Sequence, residues 1–227
     1  FYEPTNIRYL FYLAQSYFDS AEYELAKEWY LKRAQAGGWE EEVFYSMYRV
    51  GICNCLLERP WNEIQDAFLQ AWSYRPCRIE PLWQLSRLYR QNGNPRLSYL
   101  FANQGIDVPY PHHDILFIAH DIWEWQMLDE IAATAYYVHE FDKGLDACNK
   151  LLRNRNFPKE HSQRIKDNMK LYQDAIAERN KQTTEHENKI KELKKLEDGT
   201  TNASTTKSEN VKYKARKNNK KQKAVRR

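Results

Sequence analysis

The chain has 227 residues, enough for one large domain or two small ones, and a fully folded chain of that size buries roughly 70% of its surface. With 7 Gly and 8 Pro it is neither collagen-like nor a turn-dense all-β protein, and an aromatic content of 14% excludes a wholly disordered chain. The formal charge of +4 hides a split: residues 207–227 hold ten Lys or Arg against one acid, Glu209, whereas residues 1–206 carry a net charge of −5.

The four cysteines (Cys53, Cys55, Cys77 and Cys148) form no C-x-x-C pairs, which points to reduced thiols in a cytoplasmic compartment. The longest apolar stretches, such as 131–138, fall far short of the ~20 residues a membrane span needs. The sequence opens on Phe1-Tyr2-Glu3-Pro4 with neither Met nor a leader pattern, as expected of a piece of a longer protein.

Apolar residues recur at helical spacing from the start. Leu10, Leu13, Ala14, Tyr17 and Phe18 share one helix face; Tyr23, Ala26 and Tyr30 continue the period until Gly37-Gly38 ends the second helix. A second hairpin is predicted from Met47, Val50 and Gly51, a turn at Glu58-Arg59-Pro60, then Trp61, Ile64, Phe68 and Ala71. A third runs through Leu82, Leu85, Ser86 and Tyr89, turns at Asn92-Gly93-Asn94, and continues through Leu97 and Phe101 to Gly105. After an irregular link at 108–111 and an extra helix over 114–125, a fourth hairpin holds Leu128, Ile131, Ala132 and Ala135, then Phe141, Gly144, Cys148 and Leu151. The stretch 162–176, with Ile165, Met169, Tyr172 and Ile176 on one face, is suited to cap the stack. A short exposed helix is expected over 185–197, and residues 198–227, too poor in apolar groups to order themselves, read as a disordered basic tail.

The spacing resembles the tetratricopeptide repeat of 34 residues. Leu13-Ala14, Tyr17 and Ala26 match it in the first unit, and Leu85-Ser86, Tyr89 and Ser98 in the third; units two and four are degenerate. Small residues at two fixed positions let the helices of a hairpin approach closely, and no single hairpin can bury its apolar stripe alone. The expected fold is therefore all-α. Stacked hairpins form a short solenoid over residues 1–177, followed by a helical extension over 178–197 and the tail over 198–227.

The run from Ala71 to Leu82, Ala71-Trp72-Ser73-Tyr74-Arg75-Pro76-Cys77-Arg78-Ile79-Glu80-Pro81-Leu82, with Leu88-Tyr89-Arg90 after it, is similar to a signature of certain family-2 glycosyltransferases. These carry a tetratricopeptide-like helical region after their catalytic domain. The stretches 12–19, 38–42, 114–117 and 129–132 resemble other parts of that region, and the likeness covers roughly residues 5–175. Such enzymes transfer a sugar from a nucleotide-sugar donor with a divalent metal held by an Asp-x-Asp motif. This chain has no Asp-x-Asp, no βαβ alternation and no Gly-rich phosphate loop, so no catalytic residue carries over and no cofactor is expected in it.

What remains is a non-catalytic portion that positions an acceptor or partner. The alternative is a free-standing scaffold for protein–protein interaction. Either way a protein or glycan would lie in the concave face, lined by Phe11, Gln15, Tyr48, Trp83 and Arg87. Arg78, Arg87 and Arg90 offer a grip for a carboxylate or phosphate, with pairing to Glu80 and neighbouring acids as the bland alternative. Trp83 and the other aromatics suit sugar rings or bases, but equally the bulky filling that stacked hairpins require. His112, His113, Asp114, His120 and Asp121 have metal-ligand chemistry; the ordinary interpretation is a loop of surface histidines with Asp114 capping a helix. Cys53-Asn54-Cys55 reads as core thiols, since the two side chains diverge by about 200° on a helix. The tail's Lys and Arg suit a polyanion contact, or simply solubility, and Asn202-Ala203-Ser204 matches a glycosylation sequon by pattern alone.

Overall fold

The computed structural model describes the backbone of residues 6–224 and the side chains of residues 6–194. Every regular element among them is helical, and no strand occurs. The chain divides into two compact bodies, Phe1–Gln173 and Asp174–Arg227.

The first body is a succession of helix pairs: α1 (Ile7–Asp19) with α2 (Tyr23–Gln35), α3 (Glu40–Leu56) with α4 (Trp61–Tyr74), and α5 (Glu80–Gln91) with α6 (Pro95–Gly105). The fourth pair is α7 (Met127–Thr134), entered by a π-turn at Ile122–Gln126 and left by a 3₁₀ turn at Ala135–Val138, with α8 (Phe141–Arg153). Helix α9 (Ser162–Ala224) follows. Local chemistry sets several boundaries. The Asn6 side chain caps α1 by accepting from the Arg8 N–H at 3.0 Å, and prolines open α5 and α6, where their missing N–H has no cost.

One backbone device closes the first helix of all four pairs. Ala21, Glu58, Gly93 and His139 adopt left-handed φ values of 60°, 51°, 74° and 62°. In each case the next residue donates back five positions: Glu22 to Tyr17, Arg59 to Asn54, Asn94 to Tyr89 and Glu140 to Ala135, at 2.8–3.0 Å. This is the Schellman termination, and it satisfies carbonyls that the helix end leaves open.

The helices of the first three pairs approach over small residues. Ala14 and Ala26 are fully buried, and in the third pair the Ser86 hydroxyl meets that of Ser98 at 3.0 Å. In the second pair a Cβ on Gly51 would lie 2.6 Å from the Phe68 ring, so glycine is what lets that ring lie flat. In the fourth, Gly144 yields its space to the Tyr172 ring of α9. Ile165 and Tyr172 are buried there, and the Tyr172 hydroxyl donates to the Ala132 carbonyl at 3.0 Å, so the start of α9 covers the α7–α8 pair as expected of a cap.

The predicted helix over 114–125 is not formed. Residues 106–119 are irregular, and helical structure begins at His120 as the lead-in to α7. Asp114 is not an N-cap, because its carboxylate is drawn inward to two arginines. The irregular link is thus longer than the sequence suggested. In the second body, the side chains of 177–194 are exposed throughout. Where the sequence points to a disordered tail from 198, the backbone continues in α9 as far as Ala224; the side chains from 195 onward and residues 225–227 lie outside the described residues.

Candidate functional site

The first helices of the pairs meet through their side chains and so share one face. Phe11 of α1 lies edge-on to Tyr45 of α3 at 5.9 Å; Tyr48 of α3 accepts from Gln84 of α5 at 3.0 Å; Arg90 of α5 binds Glu130 of α7 at 2.7 Å. Of the residues expected to line a groove, Phe11 is buried, and Gln15, Tyr48, Trp83 and Arg87 are half-buried on this face.

Part of the face is already occupied by the chain itself. The loop Asp114-Ile115-Leu116-Phe117 lies against it, held at its backbone as well as its side chains. The Glu41 carboxylate accepts from the Ile115 and Leu116 N–H groups at 2.8 and 2.7 Å. Arg78 donates to the Leu116 and Phe117 carbonyls, at 3.3 and 3.2 Å. Asp114 takes both forks of Arg75, at 3.0 and 2.5 Å, and a third contact from Arg78 at 3.3 Å. The Phe117 ring lies 4.9 Å from Tyr45 and stacks on Phe11 at 6.5 Å, and its backbone sits at φ 45°, a strained value for an aromatic residue. Beyond this clasp Ile115 projects into solvent, 80% exposed.

The electrostatics follow from burial. Arg78 is 1% exposed, bonded to Glu80 at 2.6 Å and set over the Phe44 ring at 4.6 Å; its charge is fully compensated inside the protein. Burial alone would push the Asp114 carboxyl up, but the Arg75 and Arg78 guanidinium groups outweigh it and hold the carboxyl below the usual range. Its hydrogen bond in turn raises Arg75. Arg90 is raised likewise by Glu130.

The three arginines singled out from the sequence are therefore not brought together as one grip. Arg78 and Arg90 are consumed by internal carboxylates, the bland alternative. Arg87 differs: it donates to the Gln84 amide oxygen at 2.8 Å, lies 5.3 Å from the Trp83 ring, and its buried Nε–H has no acceptor. Arg49, which no sequence motif marks, is its counterpart on α3. Its guanidinium sits 3.4 Å from the Phe18 ring and 5.6 Å from that of Tyr45, again with a buried Nε–H left open. Only its position one helical turn beyond Tyr45 hinted at this.

No protein-family model matches the chain, and no curated protein matches it.

Other clusters are less organised. His120, Asp121 and Glu124 offer ligand atoms within 4.8 Å of one another, but His120 and Asp121 are exposed. His112 is not with them; it and His120 pack against the Tyr110 ring, at 5.0 and 5.1 Å. All four cysteines are free. Burial pushes the Cys53 thiol up to about 11 and Cys148 to about 12, which makes both poor nucleophiles at neutral pH. A cleft of about 500 Å³ opens between α2 and α4 over α3, bridged by Lys27 and Glu63 at 3.7 Å. No helix among the described residues is long and apolar enough to cross a membrane.

Proposed function

We propose that the chain is a tetratricopeptide-like helical-repeat holder whose first-helix face positions an extended partner or acceptor, with no chemistry of its own. The observation that carries this is the clasped loop: the face binds a stretch of irregular polypeptide through backbone N–H, backbone carbonyl, carboxylate and ring contacts at once. Small residues at Ala14 and Ala26, and at Ser86 and Ser98, support the solenoid arrangement, as does the shared turn at Ala21, Glu58, Gly93 and His139. The association with a family-2 glycosyltransferase, as its non-catalytic portion, rests on the resemblance of residues 71–90 and is the leading setting for such a holder. A free-standing scaffold in the cytoplasm is the second, and the peptide-like character of the clasped loop favours it.

Arrays displaying glycans and short peptides, probed with the labelled chain, separate these settings. Glycan capture supports acceptor positioning beside a transferase; peptide capture supports a free scaffold. Hydrogen-exchange footprinting of the captured ligand is expected to protect α1, α3 and α5. A footprint confined to α2, α4 and α6, or no capture on either array, overturns the holder.

A further inference from the structure

Resting on the holder reading, we propose that Arg49 and Arg87 form an anion subsite, and that its ligand is an acidic, aromatic-bearing peptide strand lying beside the clasped loop. Most neighbouring arginines in the first body are neutralised: Arg8 and Arg33 by Glu42, Arg75 by Asp114 and Glu40, Arg78 by Glu80, Arg90 by Glu130. Arg49 and Arg87 have no carboxylate at ion-pair distance among the described residues. Each leaves a buried Nε–H without an acceptor. Both side chains are half-buried and not enclosed, and a guanidinium offers an incoming carboxylate two parallel bonds through its Nη groups.

Both groups are also preorganised. Phe18 and Tyr45 bracket Arg49, while Trp83 and the Gln84 amide hold Arg87; Gln84 in turn donates to the Tyr48 hydroxyl, so one amide ties α3 to the arginine of α5. Little side-chain freedom is left for a ligand to remove.

The clasp identifies the ligand class. On this face the protein's own loop presents Asp114 to two arginines and Phe117 to Phe11 and Tyr45. Tyr45 is common to both arrangements, 4.9 Å from Phe117 and 5.6 Å from Arg49, so the open subsite adjoins the filled one. A peptide that alternates carboxylates with rings continues the same pattern of contacts.

The test is fluorescence anisotropy of a labelled peptide alternating Asp with Phe, titrated with the full chain, and a Lys-for-Asp peptide as control. Arg87→Gln and Arg49→Lys are each expected to weaken the acidic probe about tenfold or more, as loss of a charge-assisted bond does, with the Lys peptide unbound throughout. Arg49→Lys keeps the charge among the rings; if it fails to fold, Arg87→Gln alone decides. Equal affinity in parent and variants places the probe on the basic residues 207–227 and overturns the proposal. So does a sulfated oligosaccharide that binds with the same arginine dependence while the peptide does not. An acidic probe that fails while an array ligand still footprints α3 and α5 removes this subsite alone; array ligands that ignore those helices remove the holder as well.

Discussion

Asp114 concentrates the energetics of the clasp in one side chain. Replacing it by Asn leaves Arg75 with only the exposed Glu40 and takes from the buried Arg78 one of its two carboxylates, and is expected to cost about 2 kcal/mol in chemical denaturation at neutral pH. The pH dependence follows from the sign of its shift. The folded carboxyl titrates below the unfolded value of about 3.9, so its stabilisation is present in full above that value and lost as pH falls through the folded one. The gap between parent and Asp114→Asn should hold constant from about pH 5 to 8 and close under stronger acid. A gap that closed near neutrality would contradict the pairing. In the sequence, Asp114 stood before an apolar run and so resembled a cap, whereas its partners lie 36 and 39 residues away. Helical periodicity reports which face is apolar; it carries no information on a long-range ion pair. Arg78 was legible as a partner of Glu80 because the two are neighbours in sequence, and Arg49 was missed because what distinguishes it is the absence of a neighbouring acid in space.

At the level of the helix pair, the shared left-handed turn is the common element, yet only Gly93 announces it. Ala21, Glu58 and His139 hold the same conformation with a Cβ that disfavours it. Ala21→Gly and Glu58→Gly, both at exposed positions, are each expected to stabilise the protein by about 0.5–1 kcal/mol, read as a rise in thermal midpoint. A fall at either site would mean that glycine's gain in unfolded-state freedom outweighs the relieved strain. Glu58 and His139 bear on why the second and fourth pairs looked degenerate from sequence. Their turns carry no glycine or Asn-Gly signal, and the stretch before α7 adopts a π-turn that offsets the helical count. Where small residues recur at even spacing, as in the first and third pairs, the amino-acid pattern and the backbone agree.

Over the whole chain, charge is partitioned between an acidic body and the strongly basic residues 207–227. A chain ended at Glu197 is expected to lose binding to heparin, and the full chain's affinity to fall steeply between low and physiological salt. Unchanged retention of the shortened chain would assign polyanion binding elsewhere. The clasp has a separate consequence for how this molecule can change over evolutionary time. Stacked-hairpin arrays lengthen by duplicating a unit, since each touches only its neighbours. Here Glu41 grips the backbone of Leu116, 75 positions further on, across two intervening pairs' worth of chain. An added or deleted hairpin between them would carry the gripped segment away from its acceptors and strand several charges in apolar surroundings. For a stack of hairpins, a staple that skips along the chain in this way would penalise any change in the number of units between Glu41 and Leu116.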